Sequence, residues 1–105
     1  MAKQKRINTF TVDAQSVQGI EGATITFKRL KRREWLEWRK NEDTTDDDLV
    51  DSHVVEWTGF VDENGNDLPS LKDEPEALGE VFFDETRKIV TLLIQGPDGP
   101  DALKN

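Results

Sequence analysis

Residues 47–61 read DDLVDSHVVEWTGFV, and the period of their apolar positions decides what kind of fold the chain can form. Val50, Val54, Trp57 and Val61 recur at steps of four, three and four, the spacing of one face of an α-helix, and Leu49 and His53 widen the stripe. The same residues carry a competing signal. Val54-Val55 and Thr58 tolerate a strand equally well, because β-branched side chains sit easily on a pleated surface. The spacing predicts a helix capped by Asp46–Asp48 and stopped at Gly59.

Upstream, RINTFTVDAQ (6–15) and ATITFKRL (23–30) alternate apolar and polar positions, with Ile7, Phe10 and Val12 in the first and Ile25 and Phe27 in the second. That is the strand signature, and the two glycines of SVQGIEG between them predict a hairpin with a longer loop. Two strands alone are marginal in water, so the hairpin must lean on helices or on a partner. KRREWLEWRKNE (31–42) predicts a helix in which Trp35, Leu36 and Trp38 form a short apolar seam among charges. Thr44 and Thr45 mark the break before the next helix.

Downstream, Asn64-Gly65 is the pair best able to take up positive φ in a tight turn, and Phe60-Val61 can pair with Leu68-Pro69 across it. Pro75 suits the first position of a short helix. Asp84 is the expected cap of ETRKIVTLLIQ (85–95), whose stripe is Ile89, Val90, Leu93 and Ile94 and whose stop is Gly96-Pro97. The segments predict an α+β fold, an N-terminal β-hairpin packed on a small bundle of about four short helices. One domain spans residues 1–96, and the polar residues 97–105 form a flexible tail.

At 105 residues the chain has room for one modest core, and its 34% apolar content only equals its charged fraction. It has no cysteine, which excludes disulfides and thiolate chemistry. No apolar run approaches membrane-spanning length, and no apolar segment follows the basic MAKQKR, so neither a membrane helix nor a secretory signal is expected. Charge divides along the chain. Residues 1–40 hold ten Lys/Arg against four Asp/Glu, whereas residues 41–105 hold four against eighteen. A basic front suggests nucleic acid, but the acidic rear repels phosphate and no docking motif accompanies it. Charge complementarity within the chain is the simpler reading.

Catalytic and metal readings find little purchase. His53 is the sole histidine, with neither a nucleophile nor a second ligand to work with, and reads as a packed or solvated helix residue. Asp62-x-Asn64-x-Asn66 resembles a calcium loop, but Asp67 and Asp73 stand where that loop needs glycine and glutamate. No catalytic residue, cofactor or metal is expected. The tryptophans are the informative residues: Trp57 reads as core, and Trp35 and Trp38 as core or as the lining of a groove.

Val54 and Trp57, then Asp62, Gly65, Leu68 and Pro69, then the stretch led by Pro75 and the final amphipathic helix make a connected pattern. Over residues 23–96 it resembles the tail assembly chaperones of long-tailed bacteriophages and prophages. ITFKRLKRREWLEW is similar to the strand that leads into a basic helix in those proteins. The resemblance implies a non-enzymatic protein of the host cytoplasm that binds the tape measure protein and keeps it soluble while the tail assembles. It leaves room for contact with the tail tube protein and for self-association. The contact surface it implies is Trp35, Trp38, Trp57 and Phe60, with Phe82, Phe83 and Ile94. The alternative is a structural virion component, a head–tail connector or minor tail protein.

Overall fold

The computed structural model describes residues 6–103. The N-terminal hairpin forms as its alternation dictates. β1 (Thr9–Asp13) and β2 (Thr24–Lys28) pair antiparallel with Phe10 opposite Phe27 and Val12 opposite Ile25, all four facing the core. The other face is threonine-rich, and the hydroxyls of Thr11 and Thr26 lie 2.8 Å apart across it. One helical turn, α1 (Gln15–Gln18), fills the connection and turns Val17 inward.

The helix expected through Trp57 ends early. α2 (Arg32–Lys40) is followed by α3 (Asp46–His53), which passes without a linker into β3 (Val54–Thr58). β3 pairs antiparallel with β2 and completes a sheet of order β1-β2-β3. The correction has a long-range cause. Without β3, the second edge of β2 would present unpaired backbone groups, and the hairpin would lack the third strand that makes a sheet independently stable. The pairing skips Val55: Thr26 opposes Glu56 and Phe27 opposes Val54, so Val55 is the extra residue of a bulge and lies exposed.

Glu56 anchors the new strand. Its carboxylate accepts the backbone N–H groups of Trp57 and Leu71, both at 3.0 Å, and the Ser70 hydroxyl at 2.8 Å. It thereby occupies a donor of the edge strand and ties β3 to the segment after the turn. Burial alone would push the Glu56 carboxyl up, but these donors, with the Lys72 charge, outweigh it and hold it below the ordinary carboxylate range. A carboxylate with a lowered folded-state pKa contributes stability above its unfolded value and loses it as pH falls through the folded one. Stability should therefore decline from about pH 4.5 downward. Glu56→Gln should cost about 1 kcal/mol at neutral pH and make that decline shallower, as read by urea melts at several pH values.

Gly59 ends β3 at φ +77°, and a Cβ there would sit 3.1 Å from the Ala23 Cα. Gly59→Ala thus meets both a left-handed backbone and a close approach, and should lower stability by about 1–2 kcal/mol in a thermal melt. The turn beyond it is as expected. The Asp62 carboxylate accepts the N–H groups of Asn64 and Asn66, and Leu68 N–H donates to the Phe60 carbonyl at 2.8 Å.

A 3-10 segment (Pro75–Glu80) leads into α4 (Phe83–Gln95), which packs on α3 and α1. Ile89, Val90, Leu92 and Leu93 of α4 meet Ile25, Phe27, Leu49, Val50, Trp57 and Phe60 in one core. The cap of α4 differs from expectation: Phe82 occupies the cap position, and Glu85 accepts its N–H at 2.8 Å. The same carboxylate device starts the two preceding helices, Glu34 accepting from Lys31 N–H and Asp48 from Thr45 N–H.

The expectation of a flexible tail is corrected for its described part. Asp13 N–H donates to the Asp101 carbonyl at 2.8 Å and Leu103 N–H to the Thr11 carbonyl at 2.9 Å, so residues 101–103 cover the free edge of β1. Ala102 packs against the core, which places it inside the structural unit.

Candidate partner-binding surface

The seven aromatic and aliphatic residues expected at a partner surface fall into separate places. Trp57 and Phe60 are sealed in the core, with 3% and 1% of their surface exposed and their rings stacked 4.6 Å apart. The Trp57 indole N–H donates to the Pro69 carbonyl at 3.0 Å, which leaves no polar or apolar edge for a partner. These two are corrected: they build the fold.

Trp35 and Trp38 are half-buried on α2 and pack against the rim of the core. Their rings stack at 5.3 Å, Arg39 lies over Trp35, and the Trp38 indole N–H donates to the Thr45 carbonyl at 2.7 Å. That bond pins the loop between α2 and α3, so the pair has a structural task whatever else it touches.

Phe82 and Phe83 are different. They stand 55% and 76% exposed at the start of α4, adjacent in sequence, each on the wall of a hollow. The larger hollow, about 390 Å³, lies between α3 and the α4 entry, with Val50, Leu78, Val81 and Phe83 as its apolar lining and Asp47 and Asp51 at its border. The smaller, about 180 Å³, lies by the turn after β3, with Phe82 and Val61 beside Asp62, Glu63, Glu80 and Glu85. No lysine or arginine lines either one. The result is a greasy ridge between two acidic hollows.

Ile94 is 51% exposed, but it sits eleven residues beyond Phe83 on α4, about 16 Å along the axis, with exposed Arg87, Lys88 and Thr91 between. It is not part of the ridge. Trp38 is also apart, since α3 turns Asp48, Leu49, Ser52 and His53 toward α2 and Asp47, Val50 and Asp51 toward the ridge. Leu78 and Val81 are lining residues that the sequence reading passed over. The signal was present: LGEVFF holds more large apolar residues than a single short helical turn can bury.

Between α2 and α3 a third hollow, about 310 Å³, is walled by Trp38 and carries Glu34, Glu37 and Asp48, with His53 buried in its lining. The His53 Nε2 is 3.5 Å from a Glu34 oxygen and makes no hydrogen bond. Burial would raise the Glu34 carboxyl, but the Lys31 N–H, the Lys28 ammonium and the imidazole when protonated hold it below the ordinary range. Among the described residues no group of three or more histidines or carboxylates could hold a metal ion, and no helix is long and apolar enough to cross a membrane. No protein-family model matches the chain, and neither does any curated protein or solved structure.

Proposed function

We propose that the chain is a non-enzymatic binding protein that shelters an apolar, basic segment of a client polypeptide on the Phe82–Phe83 ridge. The resemblance to tail assembly chaperones suggests the client: the tape measure protein, held soluble in the host cytoplasm during tail assembly. The observation that carries the reading is the adjacent pair of exposed phenylalanines between two hollows lined by carboxylates and free of lysine and arginine. A monomer seldom leaves neighbouring aromatics uncovered without a use for them. An amphipathic helix can lay its apolar face on such a ridge while its basic flanks meet the acidic borders. The remaining acidic surface then keeps the complex soluble.

Co-expression with a tape measure protein of a long-tailed phage tests this. The long protein should move into the soluble fraction only when this chain is present, and equal solubility without it overturns the reading. Mass spectrometry of purified particles should find the chain absent; stoichiometric presence would make it a virion component instead.

A further inference from the structure

The hollow between α2 and α3 presents an unfinished hydrogen-bond arrangement. His53 is 2% exposed, and its Nδ1 lies 3.1 Å from the Leu49 carbonyl and 2.8 Å from the Ser52 hydroxyl. The carbonyl can only accept, and the Ser52 hydroxyl donates to the Asp48 carbonyl at 2.7 Å. In the neutral ring with its proton on Nδ1, the arrangement that gives the Leu49 carbonyl a donor, Nε2 is a bare acceptor. Its neighbour at 3.5 Å is a second acceptor, the Glu34 carboxylate. Two acceptors face one another with no donor between them, in a hollow that also carries Glu37 and Asp48 and has no lysine or arginine in its lining. A buried acceptor without a donor is costly, and a cationic donor entering from the open side would satisfy both groups.

We infer that this hollow is a recognition site for an arginine side chain of a polypeptide partner. A guanidinium presents several N–H groups in one plane, so it can donate to Glu34 and to His53 Nε2 together while Glu37 and Asp48 balance its charge. The Trp38 indole supplies an aromatic wall against which a planar cation is favoured over a compact ammonium. The volume, about 310 Å³, is at the small end of ligand sites and suits one side chain better than a cofactor. The site is separate from the Phe82–Phe83 ridge, and either can fail without the other.

The test is an NMR titration of the full chain with acetyl-Ala-Arg-Ala-amide, with acetyl-Ala-Lys-Ala-amide as the control. The expected result is a free protein whose His53 nitrogens show the Nδ1-protonated neutral ring. The arginine peptide should then shift the His53 Nε2 and Trp38 indole signals saturably, with a Kd at least about fivefold below that of the lysine peptide. Glu34→Gln and the exposed Glu37→Gln should each weaken arginine binding about fivefold or more while leaving the remaining spectrum in place. A doubly protonated His53 unmoved by the peptide, equal response to both peptides, or undiminished binding by both variants would overturn the inference.

Discussion

Trp57→Ala is expected to remove a large part of the stability of the fold, whatever its effect on partners. Trp57 is 3% exposed, stacks on Phe60 and donates its indole N–H to the Pro69 carbonyl. Truncation leaves a cavity between the sheet and α4 and takes a donor from a part-buried carbonyl. Large aromatic-to-alanine changes in cores cost about 3–5 kcal/mol, and a domain of this size holds about 5–15 kcal/mol in all. The midpoint of a thermal melt should fall by about 15 °C or more, and the urea midpoint should fall with it. Trp35→Ala and Trp38→Ala, on the half-buried rim, should cost less, about 1–2 kcal/mol, with Trp38 the larger of the two because Thr45 loses its donor. The reverse order would contradict the placement of Trp57 in the core.

That same residue marks where the sequence stops being legible. The hairpin, the Asn64-Gly65 turn, the short helix at Pro75 and α4 rest on local signals and form where the pattern puts them, except that α4 starts two residues early and buries Leu92 where Ile94 was expected. β3 is not local. Over residues 50–61 the spacing fits a helix, and only the vacant edge of β2, about thirty residues earlier, selects a strand for Val54–Thr58. The tail shows the same limitation: ALKN has no strand signal of its own, and Ala102 is held by backbone bonds that the edge of β1 offers. Exposure was half legible. Phe82, Phe83 and Ile94 lie exposed, but aromatic character alone cannot separate Phe82 from Phe60. The distinction lies in which side of the sheet and which end of α4 each one meets. The two hollows, lined by carboxylates without lysine or arginine, repeat locally the charge division visible in the composition.

Phe82→Ser with Phe83→Ser should weaken client binding more than tenfold and leave the fold about as stable as before. Phe82 is the cap residue of α4, with φ −70° and ψ 155°, and its side chain satisfies none of the helix's free N–H groups. Serine in that geometry accepts from the first turn and is among the favoured caps, so the substitution should contribute up to about 1 kcal/mol of stability. Phe83 is 76% exposed and loses little on truncation. Binding moves the other way. The two rings offer on the order of 200 Å² of apolar surface to a client, a gross contribution of about 5 kcal/mol when covered. Even after the ordering of the client is subtracted, their loss should weaken affinity by more than tenfold, and the co-expressed long protein should return to the insoluble fraction. On the proposed reading a partner explains aromatics held where serine would serve the helix better, since 55% of Phe82 and 76% of Phe83 stay uncovered in the monomer. A melt lowered by more than about 5 °C would instead make the ridge part of the fold, and an unchanged affinity would move the client to another face.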